Sequence, residues 1–445
     1  MTRMTRIIGP LTGVVLVAGA LVAGPGAVAQ SGDADVDAWL AGIKAQHSGT
    51  TINMLMASHP STTAYQETIK PFEEATGVTV NIDPLEEGAM LEKQVLECQR
   101  RSDDYDVWMT AVEGVAFFAD TGCEVPVDDR IAGMPAFYDF ADLVPAYTDL
   151  FNVGGKQYAI PFAGETVFLM YRKDLFDEKG YAVPTTWEEL ATLSETIKAD
   201  GEMDGVVFRA RKGWENTYTY SIFLFPFGGQ MFDAGTTTPN IDTEGSKAAL
   251  DYMTRLKASA PLGIESFSFP EAWQAFQTGT VAMAIEASAS APEMENPETS
   301  LVAGNVGYAP LPAGPAGAYS GVWGWGLGVN AKSANQDLAW DVIAWLTGKQ
   351  SQPDYLAAGG IPSRTSAYAD PALQEKYPFF PATLQALDQA AALAATNQNV
   401  VAKIPEWNEV SNIIGDYGSQ AFAGQISSSD ALAKMQTDIS AVMAK

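Results

Sequence analysis

The side chains that could do chemistry in this sequence are limited in kind: 54 Asp and Glu against two His and two Cys. His47 and His59 cannot assemble a zinc site, which needs several His or Cys ligands converging on one point. No HExxH, CxxC, GxSxG or GxxxxGK[ST] pattern occurs, so the sequence offers no zinc protease, dithiol, serine hydrolase or P-loop signature. Gly324, Gly326 and Gly328 form a Gly-x-Gly-x-Gly run. Its third Gly falls one position early for a dinucleotide fingerprint, and no helix pattern opens directly behind it. Asp33, Asp35 and Asp37 look like the start of a calcium loop, yet its sixth and twelfth positions hold Ala38 and Lys44 where Gly and Glu are needed. No metal or other cofactor is expected. Acid–base work by carboxylates stays open, because a glycosidase needs two of them across a sugar and Glu113 with Glu165 could provide the pair.

What the chain has in quantity is ring faces together with carboxylates. Between residues 162 and 309 stand Trp187, Trp214, Tyr218, Tyr220, Phe225, Phe227 and Trp273. A sugar or polyol presents hydroxyls as donors and C–H patches as apolar surface. Carboxylates accept the hydroxyls in charge-assisted bonds, and Trp or Tyr rings cover the C–H patches. One ring alone is more often core than ligand platform, so the binding reading rests on their clustering.

Such residues need elements to position them. Thr51–Met56 reads as a strand. Tyr65, Ile69 and Phe72 follow at helical spacing, with Pro71 as a kink and Gly77 as the stop. Val78–Ile82 is a second strand, Met90–Arg101 a second helix with Leu91, Val95 and Cys98 on one face, and Asp106–Met109 a third strand. This alternation predicts a parallel sheet in an α/β fold. In open parallel sheets, ligands sit beyond the C-terminal strand ends. Those loops carry Ser58, His59, Glu86, Glu87 and Glu113. Farther on, Thr185 or Thr186 is expected to cap a helix, Asp337–Leu346 is amphipathic, and Ser429 is expected to cap a terminal helix. No repeat of 20–50 residues is visible.

The ends and the charge bound the setting. Arg3 and Arg6, an apolar run from Leu11 to Ala23, and the small-x-small sequence Ala27-Val28-Ala29 read as a secretory signal over residues 1–29, cut before Gln30. Residues 30–48 are expected to be a flexible, solvated leader with a short helix candidate at Trp39-Leu40, the folded part starting at Thr51. What remains is too long for one ordinary core, so two lobes are the default. A net charge of −28 repels phosphate backbones and anionic lipid, which makes nucleic acid and membrane surfaces poor partners. Outside the cytoplasm an isolated pair such as Cys98 and Cys123 is expected to form a disulfide closing a loop of about 25 residues, the alternative being two buried thiols.

In order along the chain, TIKPFEEATGVTVNI (Thr68–Ile82), YDVWM (Tyr105–Met109), YAIPFAGETVFLMYRKDLF (Tyr158–Phe176), PTTWEEL (Pro184–Leu190), AFQTGTVAMAI (Ala275–Ile285) and GGIPSR (Gly359–Arg364) resemble the extracellular solute-binding proteins of carbohydrate ABC importers, the maltose-binding-like class. The likeness covers about Thr51 to Val442. It implies a periplasmic, monomeric, non-enzymatic binder of a small neutral carbohydrate or polyol that delivers its cargo to the transmembrane subunits of an ABC permease. Its alternatives are a phosphorylated polyol or other small solute, a glycoside-active enzyme, or a purely structural protein. The fold it implies is two α/β lobes around a ligand cleft, here residues 49–161 with 326–360, and 162–325 with 361–445. The hinge crossings would fall near Pro161, Trp325 and Gly360. Residue by residue, it implies ligand-facing roles for Ser58, His59, Glu86, Glu87, Glu113, Glu165, Tyr218, Trp323, Trp325, Arg364 and Trp407, with Trp214 added from the aromatic cluster. Where many relatives place a Trp after AMAI, this chain has Ala287-Ser288-Ala289, which implies one stacking wall fewer and a small guest.

Overall fold

The structure is a computed structural model and describes residues 34–445. The signal segment 1–29 lies outside the described residues, as do 30–33. Eight strands build the main sheet: β1 Thr51–Ala57, β2 Thr79–Leu85, β3 Val107–Ala111, β4 Ala159–Arg172, β5 Asp204–Val207, β6 Val281–Ala287, β7 Val306–Ala309 and β8 Val322–Val329. Their order is β2-β1-β3-β8-β4-β6-β5, with β7 also paired to β4. β1, β2 and β3 are mutually parallel, as the strand–helix alternation predicts, and β8 and β4 run antiparallel to their neighbours.

The N-terminal part departs from expectation in two places. Residues expected as a solvated leader form the helix Ala34–His47, whose Val36, Leu40 and Ile43 are buried. These three recur at i, i+4 and i+7. Burying side chains of this kind contributes roughly 1.5–3 kcal/mol each, enough to hold the helix down. The single kinked helix expected around Tyr65 is two helices, Pro60–Thr68 and Lys70–Thr76, meeting at Ile69. Pro71 has no N–H to continue the first ladder, so a new helix starts there. Gly77 ends it at φ 74°, a conformation that costs glycine nothing.

Elsewhere the local signals act as expected. Thr186 caps the helix Trp187–Asp200 in a capping box with Glu189. The last helix, Ser428–Met443, is capped by Ser427 and not by Ser429, since Ser427 Oγ accepts from the N–H of Asp430. Cys98 and Cys123 are joined in a disulfide with Cα atoms 5.5 Å apart. It fastens the far end of the helix Glu87–Arg100 to the loop behind the helix Val115–Asp120.

Buried apolar side chains gather in two clusters. One surrounds β1–β3 and the helix Gln336–Thr347, with Met54, Trp108, Leu338 and Trp345. The other surrounds β4–β7 and the helices Trp187–Asp200, Trp214–Leu224 and Trp407–Phe422, with Phe168, Trp187, Phe223 and Trp407. Strands β4 and β8 contribute to both clusters. Between Trp325 and Gly326 the β4–β8 register slips, so that Trp325 faces Ala163 while Gly326 faces Pro161.

Candidate functional site

A cavity of about 680 Å³ lies where the two clusters meet, within the size range of small-molecule sites. The loops beyond β1 and β3, and the first turn of the helix after β2, bring His59, Glu113 and Glu87 to it. Strand β4 adds Glu165, directly opposite Trp323 of β8. Trp323 and Trp325 stand two residues apart before the register slip, so the pleat sends both to the cavity side. Trp214 and Tyr218, four apart on one helix, share a face, with ring centroids 6.3 Å apart. Tyr218 also meets Trp323 at 4.6 Å. Trp407 opens the helix Trp407–Phe422 and completes the aromatic wall.

Three expected site residues are placed elsewhere. Ser58 is exposed and does not line the cavity; its backbone N–H bonds the Leu85 carbonyl. Glu86 is engaged as the N-cap of the helix Glu87–Arg100, accepting from Ala89 N–H at 3.0 Å, and it too lies off the cavity. Arg364 is fully buried away from it. Its guanidinium donates to the carbonyls of Thr347, Asp139 and Tyr138 and lies 3.4 Å from Asp142. A buried guanidinium needs acceptors for its five N–H groups, and those carbonyls together with the Asp142 carboxylate supply them. Most of the central aromatics are core: Trp187 packs on Phe223 and Tyr252, and Tyr220 bonds the Ser246 carbonyl.

The polar groups at the cavity form two sets. His59 Nδ1 accepts from Ser61 N–H at 3.1 Å, which leaves the ring proton on Nε2, 3.3 Å from Glu165 Oε1. Burial pushes the carboxyl of Glu87 up to about 7, Arg209 opposing and Glu215 and Glu165 adding to the rise. Burial likewise lifts Glu113 to about 7, its own backbone N–H opposing and Glu87 and Glu165 reinforcing. The second set centres on Arg209, which the sequence reading did not single out for the site. Its Nε lies 2.9 and 3.0 Å from the two oxygens of Glu286, and its Nη1 lies 3.4 Å from Glu215. The rings of Tyr218 and Phe269 flank the guanidinium at 4.1 and 4.7 Å. Arg209 comes just after β5, so the same strand-end rule that located Glu113 would have found it; β5 is short and was not recognised. Tyr218 Oη and Trp407 Nε1, both buried and on lining residues, have no hydrogen-bond partner. Among the described residues no cluster of His, Cys, Asp or Glu is arranged to hold a metal.

A ring-walled cavity with hydrogen-bonding groups on every side, set where two cores share one sheet, defines a protein that captures a small molecule. The family profile of bacterial extracellular solute-binding proteins matches residues 57–353, and the chain belongs to that family. It is 28% identical over 352 residues to an erythritol/L-threitol-binding protein of Mycolicibacterium smegmatis, covering 74% of this chain and 72% of that one. A mannitol-binding protein of Pseudomonas aeruginosa is 28% identical over 389 residues, covering 83% and 88% respectively. Among solved structures, an ABC transporter solute-binding protein from Agrobacterium radiobacter in complex with ribitol superposes with a TM-score of 0.81 at 25% identity, over 89% of this chain and 99% of that one.

Proposed function

We propose that this protein is exported by a cleaved N-terminal signal and binds a small, uncharged polyol or monosaccharide in the cavity between β3, β4 and β8. It then presents that cargo, chemically unchanged, to an ABC permease. One observation carries the reading: five ring-bearing residues, Trp214, Tyr218, Trp323, Trp325 and Trp407, enclose the same space as the carboxylates Glu87, Glu113 and Glu165. Rings cover C–H faces and carboxylates take hydroxyl protons, which is the pattern an alditol presents along its length. The relatives named for erythritol, threitol and mannitol, and the ribitol complex, point to open-chain polyols of four to six carbons. The two cores would act as lobes that close on the guest, and the slipped register at Trp325/Gly326 is where the shared strands would bend.

Isothermal titration of the purified, refolded protein with erythritol, ribitol and mannitol tests the reading, with mass analysis of the recovered ligand. Binding of at least one alditol in the micromolar range is expected, about −8 kcal/mol, with the ligand returned intact. Heat for none of the alditols or of a set of common monosaccharides, or a ligand recovered cleaved, would refute it.

A further inference from the structure

Among the described residues, Arg209 is the one arginine lining the cavity, and on its own it would invite anions: sugar acids and sugar phosphates are what an arginine fork recognises best. Its surroundings counter this. Glu286, 1% exposed at its side chain, holds Nε through both carboxylate oxygens, and Glu215, 4% exposed, sits beside Nη1. Glu286 is held in turn, since its Oε1 also accepts the N–H of Ala287 at 2.6 Å. Neither glutamate lines the cavity. These bonds, with that from Nη2 to Glu286, account for one N–H on each guanidinium nitrogen, leaving one on Nη1 and one on Nη2 to donate. The fork is thus fixed and still has donors, while two carboxylates stand against its single positive charge.

Resting on the proposed polyol-binding role, we propose that Glu286 and Glu215 are specificity-determining positioning residues, which turn Arg209 into a hydroxyl donor without net positive charge and so make the cavity reject anionic analogues of its cargo. Arg211, half-exposed, approaches Glu215 at 3.5 Å from the outer side. It draws off part of that carboxylate's charge and leaves Glu286 as the stronger determinant. The ionised forms of Glu87, Glu113 and Glu165 act in the same direction on an entering anion. A neutral hydroxyl needs only the two free N–H groups, and those remain.

The test pairs mannitol with mannonate, which has the same carbon chain but a carboxylate at one end, by titration calorimetry at pH 8 on wild type, Glu286→Gln and Glu215→Gln. Wild type is expected to favour mannitol by a hundredfold or more. Gln keeps the shape and an acceptor oxygen but drops the charge, so Glu286→Gln should narrow that preference at least tenfold and Glu215→Gln by a smaller factor. A merely structural role would weaken both ligands together and leave the ratio unmoved, which would overturn the proposal. Wild type binding mannonate within threefold of mannitol would overturn it too, without recourse to either variant. Wild type binding no alditol or monosaccharide at all would instead remove the polyol-binding reading beneath it.

Discussion

Glu124 should make the stability of this protein depend steeply on pH. It is 2% exposed, its Oε1 accepts a bond from the Thr110 hydroxyl, and its Oε2 has no partner. Gly328 of β8 has no side chain to spare, since a Cβ there would come within 2.6 Å of the Glu124 carboxyl carbon. Burial pushes this carboxyl from the ordinary 4.5 up to about 8, with the Thr110 bond opposing. Folded protein therefore keeps the proton up to about pH 8, whereas unfolded chain releases it above about pH 4.5. Between those limits the native state binds one more proton, and stability falls by about 1.4 kcal/mol for each pH unit gained. The loss reaches about 3 kcal/mol at pH 7 and levels off near 5 kcal/mol above pH 8. Glu124→Gln keeps the Thr110 bond and cannot ionise. It should match wild type below pH 4.5 and exceed it by about 3 kcal/mol at pH 7. Guanidinium unfolding of ligand-free protein from pH 4.5 to 8, followed by tryptophan fluorescence, measures the difference. Glu87 and Glu113 titrate alike in both proteins and drop out of it. A difference between variant and wild type that stays flat across this range would refute the reasoning.

Removing the disulfide as the Cys98→Ala/Cys123→Ala pair should cost about 3.5 kcal/mol from the entropy of a loop of separation 25; chemical denaturation reads it, and an unchanged midpoint would mean the crosslink does not restrain the unfolded chain. Gly415→Ala would place a Cβ 1.9 Å from the Gly213 carbonyl oxygen. Backbone cannot yield as a side-chain tip does, so the helices carrying Trp407 and Trp214 must part, and both melting temperature and alditol affinity should drop. Trp325→Ala removes one ring of the wall and should weaken alditol binding at least tenfold, about 1.4 kcal/mol; titration at unchanged affinity would take Trp325 out of the site.

The legible parts of this protein are those written in local pattern. β1, β2 and β3 alternate with helices at short range, so their C-terminal ends, and with them His59, Glu87 and Glu113, follow from periodicity and the strand-end rule. Trp323 and Trp325 follow from the family resemblance, and the two-residue period of a strand agrees with it. The buried stripe Val36, Leu40 and Ile43 is equally local, and the short helix candidate at Trp39-Leu40 marks only its middle, because the Asp residues and small residues around it read as solvated chain. What local pattern could not reveal is where long polar side chains spend their hydrogen bonds. Arg364 finds its carbonyls at Tyr138 and Asp139, more than 220 residues away, and Arg209 meets Glu286 at a separation of 77. Glu86 and Glu87 are neighbours of one type, yet one is engaged in capping and the other lines the cavity; the helix start decides between them.

The acidic composition suggests a collector of cations, but the cavity is less charged than that composition implies. Burial lifts Glu87 and Glu113 to about 7, so near neutral pH part of their charge is lost to protonation, and Arg209 is offset by the carboxylates beside it. A protonated carboxyl both donates and accepts, as a hydroxyl does. Each can therefore match a hydroxyl in either orientation, whereas a bare carboxylate can only accept. The charge of −28 then acts mainly at the surface, while Glu87, Glu113 and Arg209 bring less net charge to the cavity than their types imply, a contrast that favours the proposed guest, rich in hydroxyls and free of charge.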